Sequence, residues 1–295
     1  MNRALLCAPA KLNLHLGIYS ELDERRYHKA DSLMVALDLA DEVLVEELPP
    51  AADAAVPQVV CDPPLDIPAH KNTVYRAAAE LAQRVGRRPS VRISIRKHIP
   101  DQSGMGGSSS DAAATLLALC KLWGQDPEAN LVVEAARCVG ADVPFFLDPV
   151  PTLLTGAGDV VEQKFSPLPQ PIPVVLMRPS GPGVSTPEAY RAFDEQPTEP
   201  TDPARLCKLL RSGRASAQQI ASSLANNLDP VACRLLPKVR EVRSWLLAQP
   251  GVLGGQVTGS GSCVFAICDS DNDAQALAER ARTSSDLWVR VAHIV

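Results

Sequence analysis

The chain has 295 residues, 46% hydrophobic and 21% charged, a length that predicts two domains because one core serves about 100 to 200 residues. With 29 Lys and Arg against 34 Asp and Glu the net charge is −5, which excludes a broad basic footprint for nucleic acid and leaves only small, locally gripped polyanions as ligands. No apolar run approaches the about 18 residues of a membrane span, and the stretch before Lys11 is too short for a signal peptide, so a cytoplasmic protein without a membrane partner is expected. Eight cysteines (7, 61, 120, 138, 207, 233, 263 and 268) form no C-x-x-C pair and predict buried free thiols; no metal-ligand cluster is visible.

In chain order, Ala8 to Gly17 alternates strictly, placing Lys11, Asn13 and His15 on one strand face and Leu12, Leu14 and Leu16 in the core. The polar face reads either as the wet side of an edge strand or as a functional set. A charged turn, Glu21 to Tyr27, leads to His28 and a strand over Ser32 to Leu39, and Tyr27-His28 suits a flat ligand or simple packing. Glu46 to His70 reads as an excursion with one strand, Gln58 to Cys61. Asn72 precedes or caps a helix over Val74 to Val85, closed by Gly86.

Val91, Ile93 and Ile95 alternate with Arg92, Ser94 and Arg96 as a strand, and Ile99 to Ala114 (IPDQSGMGGSSSDAAA) runs from there into a helical segment over Thr115 to Leu122. In this strand–loop–helix, Gly104, Gly106 and Gly107 permit sharp turns and close approach, while the serines and Asp111 are candidates to cap the first turn. The N–H groups and dipole of that turn suit a phosphate, and Arg96, Lys97 and His98 add positive charge at the mouth. The chain has no Gly-Lys pair, and no G-x-G-x-x-G follows a strand, so neither common nucleotide fingerprint applies.

A helix over Asn130 to Val139 ends at Gly140. Asp142 follows, either as a turn residue or as a carboxylate that Val143, Phe145 and Phe146 partly enclose and a cation such as Lys11 keeps ionised. Prolines crowd residues 149 to 203 and place a domain boundary near 165. Beyond it the pattern predicts strand Pro173 to Met177, helix Pro203 to Arg211 capped by Asp202, helix Val231 to Leu247 broken or kinked at Pro237, strands Leu253 to Thr258 and Cys263 to Cys268, helix Asn272 to Arg282 and strand Leu287 to Ile294, an α+β arrangement. Gly259, Ser260 and Gly261, between two of these strands, read as a hairpin turn or as a second small-residue loop closing a polar cleft.

The Pro-Ala-Lys-x-Asn strand, the P-x-x-x-G-x-G-x-S-S loop and the late Gly-x-Gly loop, in this order, resemble the GHMP kinase superfamily. Tyr27-His28, the G-A-D-V-P of residues 140–144 and the V-S-T-P of residues 184–187 sharpen the likeness. The resemblance implies an α+β two-domain fold, with an N-terminal α/β nucleotide-binding domain (1–165), a C-terminal ferredoxin-like domain (166–295) and an active site in the cleft between them. It implies transfer of the ATP γ-phosphoryl group, with Mg²⁺, to the 2-hydroxyl of a cytidine diphosphate-linked methylerythritol on the non-mevalonate isoprenoid route. Carried onto this sequence, Asp142 is the base and Lys11 its partner. Asn72, Lys97, Pro100, Ser103, Gly104, Met105, Gly106, Gly107, Ser108, Ser109 and Ser110 hold ATP, and Asn13, Tyr27, His28, Asp142, Thr186 and Tyr190 hold the acceptor.

Some residues depart from the family pattern. Gln102, Ser103 and Ser108 stand where glycines are common, Met105 where leucine is, and Arg26 where glycine often precedes Tyr-His. A sibling kinase for homoserine, mevalonate or a sugar is the nearest alternative, and a catalytically inactive nucleotide sensor the next; retention of Lys11 and Asp142 argues against the sensor.

Overall fold

The computed structural model describes residues 2–49, 56–283 and 286–295. Alternating apolar side chains build two long strands, β1 (Arg3–Leu22) and β2 (His28–Glu47). In the turn joining them Asp23 Oδ1 accepts the N–H groups of Arg25 and Tyr27, both at 2.9 Å, and Arg26 takes a left-handed φ of 66°. The face of β1 that alternation left open to water is sealed instead: Lys11, Asn13 and His15 are as buried as Leu12 and Leu14. The chain forms two compact units, residues 1–10, 39–100 and 106–149 in the first and 11–38, 101–105 and 150–295 in the second, so each long strand contributes to both. The expected division at 165/166 is linear in sequence, whereas these units interleave.

In the first unit, Glu42 to Glu47 of β2 pair antiparallel with β4 (Val91–Arg96), and β3 (Gln58–Asp62) pairs parallel with β4. Three helices pack together here, α1 (Thr73–Arg84), α2 (Gly107–Trp123) and α3 (Asn130–Val139). Asn72 caps α1 by accepting the Val74 N–H at 3.1 Å, and Gly86 follows its end with φ 66°. α2 is buried on nearly every side, through Ala112, Ala113, Ala114, Leu116, Ala118 and Leu119. Its alanines are small enough for α1 and α3 to approach closely.

The second unit carries a hairpin, β5 (Thr152–Thr155) and β6 (Val160–Lys164), paired with Ser32 to Met34 of β2. β7 (Ile172–Pro179), α4 (Thr186–Glu195), α5 (Ala204–Arg211), α6 (Ala217–Ala221), β8 (Ala225–Asn226), α7 (Asp229–Leu235), α8 (Pro237–Leu247), β9 (Val252–Val257), β10 (Val264–Cys268), α9 (Asp271–Ala281) and β11 (Leu287–Ile294) follow. The order β11-β7-β10-β9 is antiparallel throughout, with helices between β7 and β9 and between β10 and β11, which is the ferredoxin-like β-α-β-β-α-β arrangement. Its core includes Val175, Met177, Phe193, Leu246, Val264 and Leu277.

Most expected elements appear, with two corrections. The segment over 231–247 is broken at Pro237 as expected, into two helices, because Pro237 opens α8 and has no N–H to continue α7. α2 begins at Gly107, eight residues before the expected Thr115 start, since serines are tolerated in a first turn whose N–H groups need outside partners anyway. None of the eight cysteines forms a disulfide, as expected, but Cys7 and Cys138 are exposed and Cys61 is half-buried.

Candidate active site

In the first unit the predicted nucleotide residues gather at the start of α2. Gly106 holds the N-cap position in the left-handed region, φ 74°, and no side chain caps the helix, contrary to the capping expected of the serines and Asp111. The serines lie one to three residues inside the helix, where a side chain cannot fold back onto the N-terminal N–H groups as an N-cap residue does. These donors and the positive dipole end therefore stay available to an anion. Thr73 Oγ1 donates to the Ser108 carbonyl at 2.8 Å, fastening the start of α1, with Asn72, beside this turn. A Cβ on Gly140 would lie 3.9 Å from Ser109 Oγ, so the turn that carries half-buried Asp142 borders it as well.

Lys97 sits beside the same turn, its Nζ 3.3 Å from where a Cβ on Gly107 would stand. It donates to Asp111 Oδ2 at 2.7 Å and to Asp41 Oδ2, and Asp41 Oδ1 accepts the N–H groups of His98 and of Ile99, the latter at 2.8 Å. Burial pulls the Lys97 pKa down, but the Asp111 and Asp41 carboxylates outweigh it and the net shift is upward. Burial pushes Asp111 up to about 7, with Lys97 opposing and Asp41 adding to the rise. Sequence reading missed Asp41, whose carboxylate fixes the residues leading into the loop. Among the described residues, Ser110 Oγ and Asp111 Oδ1 are buried without a hydrogen-bond partner.

In the second unit Asp101 to Met105 lie between β1 and the late glycine loop. Lys11 N–H donates to the Met105 carbonyl at 3.0 Å, and Cys263 N–H to the Ser103 carbonyl at 3.0 Å. Gly104, at φ 77°, passes so close to the Thr258 carbonyl that any Cβ would collide with it. Ser103 and Met105 are buried, so they present backbone rather than side chain. Asn13 organises this corner: its Oδ1 accepts from Lys11 Nζ at 2.5 Å, from Gly259 N–H at 2.9 Å and from Thr258 Oγ1 at 3.2 Å, while its Nδ2 donates to Ser32 Oγ at 2.8 Å. Asn226 Nδ2 braces the late loop through the carbonyls of Val257, 2.8 Å, and Gly259, 2.9 Å.

The acceptor residues also gather in the second unit. His28 and Tyr190 rings lie 5.4 Å apart, tilted, and Phe193 meets His28 edge-on at 5.8 Å. His28 Nδ1 is 2.7 Å from the Tyr19 carbonyl and Nε2 3.1 Å from Asp194 Oδ1, which fixes the ring plane. Thr186 Oγ1 lies 3.1 Å from Ser260 Oγ, joining the start of α4 to the late loop. Tyr27 is 61% exposed beneath the Arg25 guanidinium and takes no part in the His28–Tyr190–Phe193 cluster. The turn of which it is part is held by Asp23, which leaves the ring facing outward. Phe193 and Asp194 were missed, although Ser185 followed three residues later by Glu188 with Pro187 between is a legible helix start that would have placed both on α4.

Residues 72–148 match the GHMP kinases N terminal domain and residues 206–285 the GHMP kinases C terminal domain. The chain belongs to the GHMP kinase family. It is 35% identical over 290 residues to 4-diphosphocytidyl-2-C-methyl-D-erythritol kinase of Desulfitobacterium hafniense, covering 98% of this chain and 95% of that protein. It is 36% identical to the protein of the same name from Cereibacter sphaeroides, with 95% of each chain covered. A crystal structure of 4-(cytidine 5'-diphospho)-2C-methyl-D-erythritol kinase superposes with TM-score 0.75 at 32% identity, covering 98% of this chain and 99% of that one. Homoserine kinase from Cytophaga hutchinsonii, at 20% identity and TM-score 0.73, shares the fold. The chain is thus an ATP-dependent small-molecule kinase of α+β architecture, and no helix among its described residues is long and apolar enough to cross a membrane.

Proposed function

We propose that the chain phosphorylates the 2-hydroxyl of 4-diphosphocytidyl-2-C-methyl-D-erythritol with ATP. The observation that carries this reading is near full-length similarity to enzymes so named, at 35% and 36% identity. The His28–Tyr190–Phe193 cluster supports it, because a cytosine needs an aromatic surface with a fixed polar edge. A homoserine or mevalonate kinase would have no use for that surface.

An alcohol is a poor nucleophile, so a carboxylate must orient it and take its proton as the new O–P bond forms. Asp142 has that role here, and Lys11, its Nζ aimed by Asn13 Oδ1, steadies the developing alkoxide. Asn72, Lys97 and residues 100–110 hold the nucleotide, with the phosphates on the uncapped start of α2. Asn13, Tyr27, His28, Thr186 and Tyr190 hold the acceptor, and Gly259 to Gly261 brace its pocket. Among the described residues no group of three or more His, Cys, Asp or Glu could hold a metal ion, and Lys97 engages Asp111 through Oδ2 alone. The partnerless Ser110 Oγ fits a Mg²⁺ that arrives on the phosphates, where the ion would neutralise their charge.

Phosphorus NMR of the protein with ATP, Mg²⁺ and each of four acceptors (the cytidylated methylerythritol, homoserine, mevalonate and galactose) tests this. A new phosphomonoester resonance is expected with the cytidylated acceptor alone, at a rate lowered about 10²- to 10⁴-fold in Asp142→Asn. A product from another acceptor replaces the substrate assignment, and an unimpaired Asp142→Asn removes the base.

A further inference from the structure

Arg178 is the next-to-last residue of β7 and is 8% exposed, yet its guanidinium is held by backbone carbonyls: Nη1 donates to Asp101 at 2.6 Å, Nη2 to Gly181 at 2.5 Å and Nε to Pro179 at 3.2 Å. One planar fork therefore ties two segments, residues 101–105 and residues 179–183, to the end of one strand. Gln102 adds a second tie. Its Oε1 accepts the Gly183 N–H at 3.1 Å, and its carbonyl accepts the Ser262 N–H at 3.2 Å. Backbone packs on backbone here, because a Cβ on Gly183 would collide with the Gln102 carbonyl. Gln102 pays for this place with a left-handed φ of 51°, which a glycine would adopt without strain. From Gly183 the chain runs straight into α4, whose first residue, Thr186, meets Ser260 in the late loop that also bonds residues 102 and 103.

Residues 100–110 are proposed to hold the nucleotide, and Thr186 and Tyr190 the acceptor. Resting on that reading, we infer that Arg178 and Gln102 are positioning residues that couple the two ligands, so that each binds more tightly when the other is present. A loop that clamps a ligand loses conformational freedom. Because the two segments share a guanidinium, a side-chain amide and a backbone contact, ordering either one orders the other, and the second ligand meets a loop already fixed. Linkage makes the effect reciprocal.

The test is a calorimetric titration with the non-hydrolysable analogue adenylyl imidodiphosphate, with and without saturating cytidylated methylerythritol, and the converse titration. Wild type is expected to bind the analogue at least about fivefold more tightly with the acceptor present, and the acceptor to gain the same factor. In Gln102→Gly that factor falls toward one while Tm holds or rises, because glycine relieves the left-handed strain; a purely structural role would move Tm and leave the factor. Arg178→Met is expected to abolish the coupling and Arg178→Lys to restore part of it. A factor of one in wild type, or a full factor in both Gln102→Gly and Arg178→Met, overturns the inference. Two controls separate this from the site assignment. Ser108→Glu, a negative charge on an exposed residue at the start of α2, must weaken the analogue alone, and Tyr190→Ala must weaken the acceptor alone. If either titration is untouched, the loops are misassigned and the coupling falls with them; if both respond and the factor is one, only the coupling falls.

Discussion

Lys97 in the first unit and Arg178 in the second are both buried cations, and they are neutralised in opposite ways. Lys97 is held by two carboxylates, Asp41 and Asp111, themselves almost wholly buried. Arg178 is held by three carbonyl dipoles. A carboxylate pair makes the charges interdependent, since removing one member leaves the others buried and uncompensated. Carbonyls that lose a donor are merely unsatisfied, and those on loops can turn toward water. Lys97 is therefore bound up with the integrity of its unit, whereas Arg178 is better placed to tune loops without unfolding them.

The comparison is broken most directly by truncating each cation. Lys97→Met is expected to cost about 3 to 5 kcal/mol of stability, because Asp41 and Asp111 are left facing each other in a dry site. Arg178→Met is expected to cost about 1 to 3 kcal/mol, the range for buried acceptors left without donors. Urea titrations at pH 7.5 measure both, and equal losses would show that the two environments do not differ in the way their partners suggest.

How much of this was visible beforehand follows from which contacts are local. The loop at 99–111, the Lys11-x-Asn13 pair and the Pro237 break each lie within a few residues, so spacing and glycine or proline chemistry disclosed them. Asp41 reaches Lys97 across 56 residues, and nothing in its own neighbourhood marks it as more than the polar end of a strand. Arg178 is harder still, because its partners are main-chain oxygens that any residue could supply. The β5–β6 hairpin was hidden by the surrounding prolines, which read as a domain boundary although Gly156 and Gly158, at φ 71° and 81°, make a tight turn there. The burial of Lys11, Asn13 and His15 was illegible for a different reason: alternation shows that two faces differ and not whether the second is also covered. His15 shows the consequence, its pKa lowered by burial against the pull of Asp31 and Asp202.

A second test sharpens the contrast through protons. Asp111 rises from an ordinary 3.8 to about 7 on folding, through burial first, so the folded state binds its proton more tightly than the unfolded chain. For an acid shifted upward, stability contributed at low pH is lost as pH climbs from about 4 through about 7 and is level above that. Wild type should therefore lose stability between pH 5 and pH 7.5, and Asp111→Asn, which has no proton to lose there, should lose less. Urea midpoints at the two pH values read the difference; parallel losses in both proteins would remove Asp111 as the source.

The smallest effect is expected where a cation between two carboxylates is open to solvent. His293 on β11 places Nδ1 2.7 Å from Asp38 Oδ2 and Nε2 2.7 Å from Asp271 Oδ1, the same two-carboxylate arrangement as Lys97 but with the ring 30% exposed and Asp271 73% exposed. The hydrogen bond to Asp271 raises its pKa, burial opposes, and Asp38 adds to the rise. A base shifted upward contributes stability that is fully present below its unfolded value of 6.5 and is lost as pH rises through the folded value. Water screens these carboxylates, so His293→Gln is expected to cost less than about 1 kcal/mol at pH 5.5 and close to nothing at pH 8.5. Scanning calorimetry at the two pH values would show it as a small Tm gap that closes in alkali. A gap as large as that of Lys97→Met would mean that the pairing of charges, rather than their removal from water, sets the cost.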